Sequence, residues 1–144
     1  NADYPDGTKV ATVAAQNEYG AMGVPKRSFF RTVIAAQKAN WATSIGNLLM
    51  GTNFDIDKTY RLMGEGIKGQ IQQSIRDLIA PPNSPITDLL KERFPMGGQT
   101  NADVQQAVND VASGVTAAKP GKPLVWTGHM LNSVDYDYGA DQKK

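Results

Sequence analysis

The sequence has no cysteine and a single histidine, His129, in 144 residues. These two absences exclude disulfide staples, thiolate zinc sites, a cysteine nucleophile and any metal centre built from several imidazoles. Charge of one sign is lacking too. The 15 Lys+Arg against 14 Asp+Glu leave a net charge of +1, which is neither the polybasic character of a protein that coats nucleic acid nor an acidic tail. No apolar run approaches the roughly 20 residues that a membrane-spanning helix needs, and the opening Asn1-Ala-Asp-Tyr-Pro5 is not a signal peptide. The chain therefore reads as soluble, with no membrane partner. A start at Asn1 instead of Met reads as a chain that has been processed or lacks its first segment.

What is present suffices for one domain spanning 1–144. Hydrophobic residues make up 40% of the chain, including two Trp, five Tyr and four Phe, enough apolar surface to drive folding. Thr12 is a cap candidate for a short helix that ends at Tyr19, with Gly20 as its left-handed stop. From Ser28 to Met50 the residues Phe30, Ile34, Trp41, Ile45, Leu48 and Leu49 recur at helical spacing, so a long helix is expected with Ser28 as N-cap and Gly51 as stop. Asp55 opens a second long helix carrying Ile56, Tyr60, Met63, Ile67, Ile71, Ile75 and Leu78 on one face. Gly64, Gly66 and Gly69 inside it point to close approach of another backbone. Pro81-Pro82-Asn83-Ser84-Pro85 ends it, because proline removes amide donors and restricts the residue before it. Thr87 is expected to cap a short helix through Phe94, and Val104, Ala107, Val108, Val111 and Val115 mark a further helix from Ala102 to about Ala118. Together residues 86–118 read as an inserted helical arm, expected to contact another subunit or protein rather than its own subunit's core. After one helical turn at 127–131, Val134, Tyr136 and Tyr138 alternate with Ser133, Asp135 and Asp137, the period of a strand with one buried face. The expected fold class is α+β: two long amphipathic helices on a small, mainly antiparallel sheet that includes this last strand and one near Thr8.

Reaction chemistry is hard to assemble from these residues. A triad on His129 would recruit Ser133 or a distant Ser with Asp135 or Asp137, whereas a solitary histidine beside a strand is more often an exposed or hydrogen-bonded surface group. Asp135 and Asp137 have a spacing that could chelate a hard cation, but alternation on a half-solvated strand explains them equally well. The glycines between Gly64 and Gly69 lie inside a helical period and not between a strand and a helix start, so they make no phosphate loop. No catalytic, cofactor-binding or metal-binding residue is assigned, and the chain reads as no enzyme. The one local asymmetry is residues 21–50, whose only charges are Lys26, Arg27, Arg31 and Lys38. At helical spacing Arg27, Arg31 and Lys38 would share a face.

Three strings, in order and spacing, resemble the neck or tail-completion (head-tail joining) proteins of long-tailed bacteriophages. The first is Asn17-Glu18-Tyr19-Gly20 followed by Pro25-Lys26-Arg27-Ser28-Phe29-Phe30-Arg31. The second is Pro81-Pro82-Asn83-Ser84-Pro85, and the third runs from Pro123-Leu124 through Thr127-Gly128-His129-Met130-Leu131 to Ser133-Val134. The sequence departs from the family pattern at His129 and Leu131, where many members have Arg, and in the length of residues 86–122. The resemblance implies a non-enzymatic α+β subunit that forms a homo-oligomeric ring in the virion, assembled in the host cytoplasm. Such a ring joins the DNA-filled head to the tail and leaves a DNA channel. The implied partners are further copies of the chain and the neighbouring connector and tail proteins, with non-specific contact to passing DNA and no cofactor. Glu18, Lys26, Arg27, Arg31, Lys38 and His129 are the expected interface residues, with Glu18 able to pair with Arg27 or Arg31, and Thr127 able to cap the turn before the strand. The alternatives are a tail-terminator or other tail subunit, a nucleic-acid-binding module using the four cations, and a small hydrolase using His129.

Overall fold

The computed structural model describes residues 2–139. The outermost positions of the expected single domain, Asn1 and 140–144, lie outside the described residues. The chain is all-helical: α1 (Val10–Tyr19), α2 (Phe30–Gly51), α3 (Ile56–Asp77), α4 (Pro85–Arg93), α5 (Asn101–Ala112) and the single turn α6 (His129–Asn132). The expected α+β class is therefore corrected. Among the described residues the only β pairing is one isolated antiparallel bridge between Asp3 and Lys9.

Both expected strands have found other partners. Around Thr8 the chain makes a tight turn, with Thr8 N donating to Asp6 Oδ1 at 2.9 Å and Tyr4 N to Thr8 O at 2.8 Å. The alanine-rich run after it enters α1 at Val10, two residues before the expected Thr12 cap. Residues 134–138 are extended but lie along α3. Gln72 donates to Leu131 O, Lys68 pairs with Asp135 at 3.2 Å, and Arg61 Nε donates to the Tyr138 hydroxyl at 2.9 Å. From Lys68 to Arg61 a helix advances about 10 Å, which the three residues from Asp135 to Tyr138 cover in extended form, since three helical residues would reach about 5 Å. Burial alternates as the sequence pattern requires, with Val134, Tyr136 and Tyr138 half-buried and Asp135 and Asp137 exposed. The period was that of a one-sided extended chain, and its covering layer is a helix.

The longest elements are α2 and α3, each of 22 residues and so about 33 Å long. They form an antiparallel hairpin, shown by three cross-helix bonds: Ser74 Oγ to Phe29 O, Trp41 Nε1 to Gln70 Oε1, and the Thr52–Thr59 hydroxyl pair. Asp55 caps α3 as expected, accepting from Lys58 N at 2.9 Å. Gly20 ends α1 with φ 74° as expected. Other boundaries differ. Ser84, not Thr87, caps α4, with Pro85 in the first helical turn. Thr100 and Asp103 form a reciprocal capping box on α5, which stops at Ala112 instead of reaching Ala118.

Two apolar clusters hold these pieces. The larger joins Val10, Phe29, the fully buried Ile75, Leu124 and Met130 at the end of the hairpin opposite its 52–55 turn. The smaller joins Leu89, Leu90 and Ala107 of the arm with Trp126, so the arm's larger apolar residues are used within its own subunit. Of the three α3 glycines only Gly64 is approached closely, and by a side chain: the Tyr136 ring occupies the place a β-carbon would take. Gly64→Ala should displace that ring and cost about 1–3 kcal/mol in urea unfolding. Gly66→Ala, with nothing within 4 Å of its added carbon, should instead stabilise by about 0.5–1 kcal/mol through helix propensity. Equal effects of the two substitutions would contradict the packing of the tail on α3.

Candidate functional site

The first turn of α2 contains no acidic residue and its N-cap position, Phe29, offers no side-chain acceptor. The expected Ser28 cap is thus replaced by a carboxylate from another helix. Glu18, 4% exposed at the end of α1, accepts from Phe30 N at 2.9 Å through one oxygen. Its other oxygen accepts from Arg31 N at 3.2 Å, Arg31 Nε at 2.8 Å and Ser28 Oγ at 2.7 Å. An anion at a helix start satisfies amides that have no intrahelical partner and meets the positive end of the helix dipole. Arg31 also donates to Glu18 O at 3.1 Å and lies over the Tyr19 ring at 4.5 Å.

Local chain geometry makes this possible. Gly20 brings the chain so close to itself that a β-carbon there would meet Lys26 N at 3.0 Å. The 21–29 loop then doubles back, with Arg27 N donating to Asn17 O at 2.6 Å. The Arg27 side chain, 7% exposed, donates to Asn17 Oδ1, Pro81 O and Pro82 O at 3.2, 3.0 and 2.9 Å. Asn17, Glu18, Arg27, Arg31 and the Pro81-Pro82 carbonyls therefore meet in one bonded node that ties α1, α2 and the end of α3.

The node divides the expected basic face. Arg27 precedes α2, so it does not share a helical stripe with Arg31, and both guanidinium groups are engaged inside the subunit. Lys26 and Lys38 remain exposed to solvent. His129 Nε2 lies 2.9 Å from Asp3 O and its ring packs against Tyr4. Ser133 Oγ donates to the His129 backbone carbonyl, not to its ring, Asp135 is paired with Lys68, and Asp137 accepts from Gly139 N. The expected hydrolase alternative therefore has no assembled triad in this arrangement. No group of three or more potential metal-ligating side chains occurs among the described residues.

Two concavities stand out among the described residues. A cleft of about 820 Å³ opens between α1 and the segment 133–135, with Ile71, Ile75 and Met130 at its base. A smaller groove of about 420 Å³ runs between α2 and α3, walled by Trp41, Leu48, Leu62, Met63 and Ile67. Sequence reasoning did not single out Lys91, because nothing in the α4 pattern separates it from a solvated lysine. Its ammonium donates to Lys122 O at 2.6 Å and Val125 O at 3.0 Å, clamping the returning loop onto α4. No family model, no curated protein and no solved structure matches this chain.

Two pH dependences follow. Burial by itself would raise the Glu18 pKa, but the bonds from Arg31, Phe30 N and Ser28 outweigh it and hold the carboxyl below its ordinary 4.5. The unfolded chain thus binds the proton more tightly, and this stabilisation is complete above 4.5 and lost as the pH falls through the folded value. Glu18→Gln should abolish that part of the acid limb in urea midpoints measured from pH 6 downward. An unchanged acid limb would show that the carboxylate is not held ionised. Burial pushes Lys91 down to about 8, from 10.5. Between those values the unfolded state keeps a proton the folded state has lost, so stability should gain with rising pH there. Lys91→Met should remove that gain, and an identical slope in both proteins would refute the assignment.

Proposed function

We propose that the chain is a non-enzymatic structural subunit that assembles with further copies of itself into a ring at the head-tail junction of a tailed bacteriophage, between connector and tail proteins. The observation that carries the assembly role is the free end of the α2–α3 hairpin. Asn53 and Phe54 there both have left-handed backbone, φ 58° and 62°, and the Phe54 ring is 68% exposed. For a bulky aromatic this conformation is strained, and exposing the ring forfeits its burial as well. Met50, Ile56, Tyr60 and Leu62 extend the exposed apolar surface around it. Such a surface favours contact with another protein over solvent. The virion assignment rests on the phage-like strings: Asn17-Glu18-Tyr19-Gly20, the Pro25 to Arg31 run and Pro81-Pro82 act together in one node despite their separation in sequence. With Arg27 and Arg31 engaged inside the subunit, Lys26 and Lys38 are too few to hold DNA, which supports a protein neighbour over a nucleic-acid module.

Phe54→Asp tests the reading, because aspartate tolerates left-handed backbone and the site is exposed. The variant should keep the wild-type melting temperature to within about 3 °C. Light scattering on the wild type should show an oligomer, and the variant should shift to monomer. Immunogold imaging of assembled particles should label the head-tail junction. A wild-type chain that stays monomeric at high concentration, together with label elsewhere on the particle, would overturn the proposal.

A further inference from the structure

The extended segment 134–138 buries one side on α3, yet no main-chain to main-chain hydrogen bond joins it to any other described residue. Its backbone is an unused strand edge, the kind of template that a second extended chain pairs with. Its first two residues, Val134 and Asp135, also border the cleft of about 820 Å³ described above, whose opposite wall is α1 and whose base is apolar. The cleft has room for several medium-sized aliphatic side chains. Its charged neighbours are already matched, Lys9 by Asp3, Glu18 by Arg31 and Asp135 by Lys68.

We propose that this cleft and edge form an acceptor site for an extended strand supplied by a partner polypeptide. The incoming strand pairs its main chain with residues 134–138 and places alternate aliphatic side chains in the cleft beside α1. Its intervening side chains lie next to the exposed Asp137, so they are basic or hydroxyl-bearing. A second copy of 134–138 is the poorer occupant. Antiparallel pairing of two such segments would set aspartates of one against aspartates of the other, and like charges directly opposite are destabilising. The inference rests on the cleft and the edge alone and not on the ring reading.

The test uses the full chain and a short synthetic peptide in which valine alternates with lysine or threonine. Binding is followed by calorimetry and by amide hydrogen exchange. At saturation the peptide should slow exchange at 134–138 by about tenfold or more. A peptide with proline at its centre, lacking a donor, should fail to bind. Replacing the lysines with glutamate should weaken binding by about tenfold. Ala11→Trp, placed on the exposed rim of the cleft, should block the peptide while leaving the far-ultraviolet circular dichroism unchanged. No binding, binding without protection at 134–138, or equal binding of the proline peptide would overturn the assignment. Protection of 134–138 that rises with the concentration of the chain alone would give the edge to a second copy and likewise overturn it.

Discussion

A single buried carboxylate sets the arrangement of the helices. The 22-residue α2 starts without a cap of its own, and Glu18 of α1 supplies it from across the 21–29 loop. Charge-assisted hydrogen bonds are each worth about 1.5–3 kcal/mol, and removing one partner from a buried pair costs more than the pair contributes, because the other charge is left unmatched. The same carboxylate holds Arg31, Arg31 covers Tyr19, and the neighbouring Asn17 holds Arg27. Through Arg27 the node reaches Pro81 and Pro82, so the start of α2 and the chain leaving α3 are fixed by one network. The end of the hairpin where α2 starts and α3 finishes is thereby anchored where Phe29 and Ile75 are buried, and the 52–55 turn is left to project.

The two hairpin helices differ in what they expose. In α3 much of the apolar face is covered by α2 on one side and by the C-terminal tyrosines on another, Ile56, Tyr60 and Leu62 stay exposed near the hairpin turn, and charged and amide side chains take most of the rest. In α2 only Arg31 and Lys38 are charged among 22 residues, and small residues occupy much of the surface turned away from α3. A helix so poor in charge is ordinarily covered on more than one side. That asymmetry, together with the exposed ring of Phe54, gives the free half of the hairpin the character of a contact surface, while the bonded half has the character of a scaffold.

Much of this was legible in the residues. The α3 period, its Asp55 cap, the Gly20 stop and the breaking prolines each rest on local chemistry that tertiary packing did not override. The alternation of Val134, Tyr136 and Tyr138 was equally real, but a period of two records only that one side is covered. It cannot distinguish a neighbouring strand from a helix with a glycine notch, and Gly64 supplied the notch. The node was half legible: Glu18 with Arg31 was among the expected pairs, whereas Ser28 as cap and Arg27 as part of a helical basic face were not realised. Cap propensity is a local preference, and a carboxylate delivered from another helix outcompetes a hydroxyl. Lys91 left no mark in the sequence because its clamp is made to backbone carbonyls, which carry no side-chain signature.

The most direct test of the account is a carboxyl-detected NMR titration of Glu18 in the intact protein. The account predicts a folded-state pKa below the ordinary 4.5, with the Phe30 and Arg31 amide shifts following the same titration. A Glu18 pKa at or above 4.5, or amides at the start of α2 that ignore its protonation, would contradict the claim that this carboxylate organises the fold.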